Sequence, residues 1–189
     1  EIKYQIIGTK DFLTTFSTRP DTIFGVSFLA LSPNHPMSIE ISKENEKIKK
    51  FLEVCKESKA AEADMAKADK LGIDTGIRAM HPITKEEIPI WIGNFVLLDY
   101  GTGVVMGVPG HDSRDFEFAS KYNLDIKQVI QSDRTDDLPI LDKGILVNSD
   151  KFNGKTSEEA SKEIIQELID NGYGAVSYTH LTLPTITGV

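Results

Sequence analysis

The sequence predicts an α+β domain in which a mostly antiparallel, barrel-like β-sheet carries inserted helices at its periphery. About eight short β-prone runs are bounded by glycine, proline and polar turns. Roughly three or four helical patterns interrupt these runs at separate places along the chain. Strands and helices do not alternate regularly, as they would in a series of parallel βαβ units. We therefore expect one antiparallel sheet decorated by helices.

The composition is that of a globular protein with one domain. The chain has 189 residues, of which 40% are hydrophobic and 26% are charged. The sequence shows neither an apolar run long enough to cross a bilayer nor a basic-then-apolar leader, so we expect no membrane association. The single cysteine, Cys55, excludes an intrachain disulfide and fits a reducing compartment such as the cytoplasm.

Charge and ligand spacing restrict the function further. The formal net charge of −8 argues against a surface that grips nucleic acid through its phosphates. If RNA is a partner, only a short end of it can be held here. One cysteine and four scattered histidines give no metal-ligand spacing, so we expect neither a metal nor a cofactor.

The first strands lead into a bend that is rich in hydroxyl groups. Residues 4–7 and 12–16 are predicted strands, and the bend at residues 17–22 (STRPDT) follows the second of them. The proline in this bend disfavours helix at Arg19. Threonines in strands are often only β-formers with solvated hydroxyls. Their density here favours a polar recognition surface, after which residues 25–31 resume as a buried strand.

A helical lobe follows the first strands. Residues 37–71 show a helical apolar stripe with lysine and glutamate between, and residues 60–70 are a second strong helix former that stops at Gly72. Cys55 lies on the apolar stripe and is better explained as a small buried hydrophobe than as a nucleophile. We assign this lobe a scaffolding role.

Extended chain returns after the helical lobe. Residues 73–80, 90–92 and 94–98 are predicted strands, and residues 81–89 form a hairpin with a charged tip. His81 precedes a proline in this hairpin, which indicates a turn position more than a catalytic one.

The rest of the chain is organised around residues 101–115, GTGVVMGVPGHDSRD. A turn and a short apolar strand end in a bend that glycine and proline permit, and four ionisable groups follow at once. Glycines let the backbone come close to a ligand where a Cβ would clash. The alternative is a simple turn in which Asp112 is the N-cap of a helix over residues 113–121.

The last part of the domain is a strand, a loop, a strand and a helix. Residues 126–130 and 144–148 are predicted strands on either side of a polar, acidic surface loop over residues 131–142. Thr156 and Glu159 predict a capping box at the start of the final helix. Its predicted buried stripe consists of Ala160, Ile164, Ile165, Leu168 and Ile169.

Residues 177–189, SYTHLTLPTITGV, behave differently from the rest. They follow a helix stop at Gly172, show no periodicity and resemble translated cloning sequence. We therefore expect a domain over residues 1–176 followed by a non-native tail, which also removes His180 from the candidate site residues.

Two distant motifs carry a family resemblance. The STRPDT bend and the GTGVVMGVPGHDSRDFEFA block resemble the editing domain of leucyl-tRNA synthetase, together with IPIW at residues 88–91, residues 94–100 and FNG at residues 152–154. This domain is the connective-polypeptide insertion of class I synthetases. The Thr-Arg-Pro element also suits the isoleucyl and valyl relatives, whereas Asp21-Thr22 and the second block favour the leucyl type. The segments for amino-acid activation by ATP are missing, so the chain would be an isolated domain of an ATP-binding parent enzyme.

The resemblance implies an aminoacyl-tRNA deacylase. Its expected reaction is the hydrolysis of the ester in tRNA-Leu that carries isoleucine, norvaline or methionine. An aliphatic pocket discriminates one methylene by only about 1–3 kcal/mol, so a second site must reject what the first admits. We expect a positioned water to attack the ester without a covalent intermediate, with hydroxyls and backbone N–H groups stabilising the oxyanion. The expected partners are the acceptor end of tRNA-Leu and the parent synthetase body, and we expect a monomer.

The resemblance also assigns roles to individual residues. It places Asp112 where a carboxylate holds the α-ammonium of the substrate, and Thr22 where a side chain excludes cognate leucine. Thr18 and Arg19 fall in the threonine-rich wall that orients substrate and water. The remaining residues assigned to substrate binding are Ser17, Asp21, Tyr100, Val104, Met106, Val108, His111 and Asp115.

Three alternatives stay open at the level of sequence. Within the reaction, His111 is a candidate general base as the alternative to a water that is only positioned, because Asp112 beside it could tune its pKa. In place of the reaction, the chain could be a barrel module that binds adenosine or an amino acid without chemistry. It could also be a free-standing trans-editing protein, against which the artificial-looking end of the chain argues.

Overall fold

The computed structural model describes residues 1–58, 68–99 and 101–177. Its main layer is a six-stranded mixed sheet with the strand order β2-β1-β4-β5-β3-β6, and a two-stranded sheet joins β7 and β8. The strands are β1 (Ile2–Ile6), β2 (Phe12–Thr15), β3 (Phe28–Leu31), β4 (Gly72–Met80), β5 (Glu87–Gly93), β6 (Val104–Gly107), β7 (Ile130–Gln131) and β8 (Ile145–Leu146). The helices are α1 (Pro36–Glu44), α2 (Glu46–Glu57), α3 (Ser113–Tyr122) and α4 (Ser157–Asp170), with short 3-10 helices at Pro20–Gly25 and Asp150–Phe152.

The α+β class is confirmed, and the sheet is mostly antiparallel. Only β3 and β5 pair in parallel among the described ladders, because α1, α2 and β4 lie between them in sequence. The two edges of the sheet approach each other, since the Thr102 hydroxyl donates a hydrogen bond to the Thr14 carbonyl. Within the described residues no ladder joins β2 to β6, so the closed barrel is not confirmed and the sheet is described as open.

The core lies on both faces of β3, all four residues of which are buried. On one face, Leu29 belongs to a cluster with residues of β5, α2 and α4, including Ile90, Ile48 and Ile164. The other face receives α3, where the Phe28 and Phe118 rings lie 5.1 Å apart. A Cβ on residue 107 would overlap the Phe28 ring, so the end of β6 requires glycine.

Local signals predicted the helices well. Asp112 caps α3, and Thr156 and Glu159 form the capping box of α4. Along α4 the predicted apolar stripe is buried at Ala160, Ile164 and Leu168. Its two other members differ, because Ile165 is half-buried and Ile169 is exposed.

The helical lobe agrees with the prediction over α1 and α2. The predicted helix over residues 60–70 lies outside the described residues as far as residue 67, and residues 68–70 are not helical. The proposed tail from residue 178 onward also lies outside the described residues.

Four predicted strands are wrong in extent, and one of them, predicted over residues 144–148, is reduced to β8. Residues 94–98 form turns, because the Asn94 side chain bonds to Leu71 N–H and the Asp69 carbonyl and ends β5. The strand predicted over residues 25–31 begins only at Phe28, since a 3-10 helix with Pro20 in its first turn precedes it. The strand predicted over residues 126–130 shrinks to β7, because the N–H groups of Val129 and Ile130 donate to the His111 ring instead of to a neighbouring strand.

Candidate active site

A pocket of about 640 Å³ opens between the bend that follows β2 and the bend that follows β6. Both motifs of the sequence analysis therefore face the same cavity. Nine of the predicted site residues line it: Ser17, Thr18, Arg19, Thr22, Met106, Val108, His111, Asp112 and Asp115.

Three predicted residues are placed elsewhere or are not described. Val104 is 4% exposed and belongs to the core, and its neighbour Val105 lines the pocket in its place. Asp21 is 1% exposed and lies behind the wall as the partner of Arg19. Tyr100 lies outside the described residues.

Hydrogen bonds within the hydroxyl-rich bend fix its shape. The Thr22 hydroxyl donates to the Arg19 carbonyl at 2.8 Å, and the Thr22 N–H donates to the same oxygen at 3.1 Å. The Ser17 hydroxyl accepts from the Arg19 N–H at 3.0 Å. These bonds hold Thr22 in one rotamer at the pocket wall, which suits a residue that acts by its shape.

Arg19 lines the pocket and also links the bend to another segment of the chain. Its guanidinium makes a bidentate pair with Asp21, with N–O distances of 3.0 and 2.8 Å. Its Nη1 donates to the Leu141 carbonyl at 3.2 Å. The Asp21 carboxylate balances the positive charge, so Arg19 ties the bend to the segment around Leu141 rather than offering a free cation.

The acidic bend combines a helix cap with a pocket wall. Asp112 Oδ1 accepts from the N–H groups of Arg114 and Asp115 at 2.9 and 3.0 Å and so caps α3. Asp115 reaches back, and its Oδ2 accepts from the Val108 N–H at 2.8 Å. A Cβ on residue 110 would overlap the Lys127 carbonyl, so glycine is needed where the bend passes this chain. The same turn therefore both begins α3 and places two carboxylates at the pocket.

Asp115 is the most perturbed carboxyl of the pocket. It is 6% exposed, and burial, followed by the nearby charge of Asp112, raises its pKa from 3.8 to about 7. The Val108 N–H and Arg114 oppose this rise. Two carboxyls that share one cavity and repel each other make a site that favours a cationic ligand.

The environment of His111 argues against its use as a general base. Its Nδ1 donates to the Ile140 carbonyl at 2.8 Å, and its Nε2 accepts from the N–H groups of Val129 and Ile130 at 2.9 and 3.2 Å. Both ring nitrogens are thus engaged by backbone, and burial lowers the pKa of the ring. The ring has no free lone pair with which to take a proton from water.

An apolar wall completes the pocket, and sequence reasoning did not assign it to the site. It is formed by Phe16, Phe95, Val96, Leu97 and Val105, and Arg114 lies at the same cavity. Residues 95–97 follow β5 and belong to the segment 94–100 of the family resemblance, but the resemblance assigns them no role in the site. They give the cavity an apolar part in addition to its carboxylates and hydroxyls.

The structure offers no metal centre or membrane span in the part of the chain that it describes. There, no three or more His, Cys, Asp or Glu side chains are grouped so that they could hold a metal ion. No helix among the same residues is long and apolar enough to cross a bilayer.

Fold and pocket together define a class: an α+β domain whose cavity is lined by two neighbouring carboxylates, a hydroxyl-rich bend and several apolar side chains. The family model described as "Leucyl-tRNA synthetase, editing domain" matches residues 1–169. The chain belongs to this leucyl-tRNA synthetase editing-domain family.

Individual relatives agree with this assignment. The leucine–tRNA ligase of Marinobacter nauticus is 47% identical over 179 residues, which cover 92% of this chain and 21% of that protein. That of Hahella chejuensis is 51% identical over 167 residues, covering 86% of this chain and 19% of the relative. The chain thus spans about a fifth of the length of these curated relatives.

A solved structure shows the same fold. The crystal structure of the ternary complex of Agrobacterium radiobacter K84 agnB2 LeuRS with tRNA and LeuAMS superposes with a TM-score of 0.66 and 27% identity. The match covers 89% of this chain and 18% of that chain. These similarities support a role in tRNA-synthetase editing.

Proposed function

We propose that this domain carries out post-transfer editing, the hydrolysis of the aminoacyl ester of mischarged tRNA-Leu. The observation that carries the proposal is that the Thr18–Thr22 bend and the carboxylates of Asp112 and Asp115 line one pocket. Membership of the editing-domain family gives this geometry its chemical meaning. The domain so assigned covers residues 1–176, and residues 177–189 are treated as a non-native tail.

The two carboxylates hold the α-ammonium of the amino acid. Asp112 keeps one oxygen in the helix cap, and among the described residues no donor is bonded to its Oδ2. Asp115 has one oxygen on the Val108 N–H, and burial raises its pKa to about 7. An ammonium group placed between them lowers the pKa of Asp115 and forms charge-assisted hydrogen bonds.

Thr22 provides the discrimination. Its side chain is held at the pocket wall by the bond to the Arg19 carbonyl, so it cannot turn away from a bulky ligand. The branched end of leucine meets this side chain, whereas isoleucine, norvaline and methionine place their carbon atoms differently. A difference of this kind is worth about 1–3 kcal/mol, which is enough to protect the cognate ester about 10–200-fold.

A positioned water carries out the hydrolysis. In the described lining, no hydroxyl group is hydrogen-bonded to an imidazole or a carboxylate, so none is activated as a nucleophile. His111 is excluded as the base because backbone groups engage both of its nitrogens. The ester is therefore attacked by a water that the hydroxyls of the Thr18–Thr22 bend and the bound substrate orient.

The partners are the acceptor end of tRNA-Leu and the body of a parent synthetase in the cytoplasm, with the domain itself a monomer. The solved neighbour is a leucyl-tRNA synthetase in complex with tRNA. The net charge of −8 fits a domain that takes in only the single-stranded end while other parts of a synthetase bind the rest.

A deacylation assay tests the proposal. Purified protein is mixed with Ile-tRNA-Leu and, separately, with Leu-tRNA-Leu, and the loss of ester is followed against buffer alone. We expect faster hydrolysis of the isoleucyl ester and at least about tenfold protection of the leucyl ester. A module that only binds adenosine or an amino acid would leave both esters at the buffer rate, which would contradict the proposal.

A further inference from the structure

Two buried histidines, one near each wall of the pocket, make the same pattern of hydrogen bonds. His81 Nε2 donates to the Ile23 carbonyl at 2.9 Å, and its Nδ1 accepts from the N–H groups of Ile83 and Thr84, each at 3.1 Å. His111 shows the same arrangement with its nitrogens exchanged, since Nδ1 donates and Nε2 accepts from two consecutive N–H groups. The rings are 2% and 7% exposed.

These partners fix the protonation state of both rings. A carbonyl can only accept a hydrogen bond, and a backbone N–H can only donate one. Each ring must therefore be neutral, with the proton on Nε2 of His81 and on Nδ1 of His111. Burial acts in the same direction and lowers the pKa of both rings. A protonated ring would point an N–H at two other N–H groups.

His81 holds the threonine wall from behind. Its carbonyl partner, Ile23, is the residue after Thr22 in the 3-10 helix of the bend. The ring also packs between Tyr4 and Phe24, at centroid distances of 6.3 and 6.2 Å. The position of Thr22 therefore depends on a ring that does not line the pocket.

His111 holds the opposite wall. It directly precedes Asp112, and its bonds join the acidic bend to the backbone at residues 129–130 and at Ile140. The next carbonyl, that of Leu141, accepts from Arg19 of the threonine wall. The bonds of His111 and Arg19 to neighbouring backbone groups thus fix the carboxylates relative to the bend that carries Thr22.

We propose that His81 and His111 are positioning residues that together set the distance between Thr22 and the carboxylate pair, and thereby decide which aminoacyl side chains are hydrolysed. This inference rests on the proposed editing function. The ammonium is anchored at the carboxylates, so the gap between the walls determines whether a leucyl side chain meets Thr22. Discrimination by such a contact is worth only about 10–200-fold, so a small displacement of either wall removes much of it.

The test measures discrimination and not activity alone. The variants are His81→Phe and His111→Phe, which keep a ring and remove every hydrogen bond, and His111→Asn, which keeps a donor for the Ile140 carbonyl. The readout is the ratio of kcat/KM for Ile-tRNA-Leu over Leu-tRNA-Leu. This ratio does not depend on the fraction of protein that is folded, so a merely structural role leaves it unchanged.

We expect each phenylalanine variant to lower this ratio of kcat/KM values at least fivefold, because a displaced wall loses much of the contact between Thr22 and the leucyl side chain. The ratio for His111→Asn should lie between that of wild type and that of His111→Phe. The matched control is Ile48→Ala, which removes buried side-chain volume in α2 at a residue that does not line the pocket and should lower Tm while the ratio stays within twofold. Phenylalanine variants that fold and keep the wild-type ratio within twofold would overturn the inference. Wild-type protein that hydrolyses neither ester would instead overturn the proposed function.

A measurement on the wild-type protein covers the case in which the variants do not fold. The ¹⁵N shifts of the imidazole rings at pH 7 report tautomer and charge directly. We expect the Nε2–H tautomer for His81 and the Nδ1–H tautomer for His111, both neutral. A cationic ring or the opposite tautomer at either position would overturn the assignment.

Discussion

At the scale of single residues, Asp112 combines an observed structural role, the cap of α3, with the ligand-binding role proposed for it. One of its oxygens caps α3, while the same side chain lines the pocket. The turn that begins a helix also presents a carboxylate at a fixed place, because the cap bonds hold its rotamer. A binding group gains precision from such a constraint.

Thr22 gives the most specific prediction at this scale. Replacing Thr22 by Ala removes the atoms that meet the leucyl side chain, so Leu-tRNA-Leu should lose its protection. We expect its hydrolysis to rise about tenfold or more, with the rate for Ile-tRNA-Leu changed little. Deacylation of both esters is measured side by side, and continued protection of the leucyl ester in a folded variant would remove the role given to Thr22.

Asp115 gives a prediction about pH. Its pKa is raised to about 7 in the folded chain from an ordinary value of 3.8, so the folded state holds the proton more tightly than the unfolded state. The buried charge therefore costs stability as pH rises from about 4 to 7, and the cost is complete above 7. Asp115→Asn should raise the free energy of unfolding by about 1–3 kcal/mol at pH 8 relative to wild type, and by less at pH 5.

Denaturant unfolding at the two pH values measures this difference. The same variant should hydrolyse mischarged tRNA poorly, since an amide cannot balance the substrate ammonium. A variant that is less stable than wild type at pH 8, or that keeps full activity, would contradict the account of Asp115.

At the scale of elements, α3 allows the cap and the ligand role of Asp112 to be separated. Asp112→Ser keeps an N-cap hydroxyl but loses the charge, whereas Asp112→Ala loses both. We expect only the alanine variant to lose about 1 kcal/mol of stability, while both lose most deacylation activity. Equal activity of the serine variant and wild type would show that Asp112 acts only as a cap.

The bend after β2 gives a second prediction at this scale. Arg19→Met leaves the Asp21 carboxylate buried without its partner and should cost about 2–4 kcal/mol. Adding Asp21→Asn removes the buried charge and should recover part of that loss. Thermal unfolding of the single and double variants measures both steps, and a double variant no more stable than the single one would contradict this role for the pair.

Helix signals could be read from the sequence because they are local. The capping box of α4 and the cap of α3 each involve residues within three positions of one another. The turn over residues 94–98 could not be predicted, because Asn94 ends the strand through bonds to residues 23 and 25 positions away. β-propensity alone favoured a strand there.

The pocket, too, could be predicted only where its signals are local in the sequence. Its two motifs were identified because family likeness marks them, and the structure places them at one cavity. The roles of His81 and His111 could not be predicted, since the carbonyls that they bond lie 58 and 29 residues away. A histidine before a proline indicated a turn and gave no sign of what its ring would hold.

At the scale of the whole molecule, the net charge of the domain affects how strongly the domain by itself binds tRNA. With a net charge of −8, the domain has little attraction for the phosphates of a tRNA, so under the proposed function the rest of a synthetase supplies that attraction. We expect the isolated domain to show a kcat/KM on Ile-tRNA-Leu at least about tenfold below that of a full-length leucine–tRNA ligase, mostly through KM.

A minimal substrate provides the control for this prediction. Isoleucyl-adenosine lacks the tRNA body, so the two proteins should hydrolyse it at similar rates. Equal kcat/KM values on whole tRNA would contradict the idea that the domain holds only the acceptor end.

The central claim is that an aminoacyl ribose lies in this pocket with its ammonium on the carboxylates and its side chain at Thr22. The most direct measurement is a crystal structure with a non-hydrolysable isoleucyl-adenosine analogue. We expect the ammonium nitrogen within about 3 Å of Asp112 or Asp115 and the side chain against Thr22. An analogue bound in the reverse orientation, or outside the pocket between the two bends, would contradict the account.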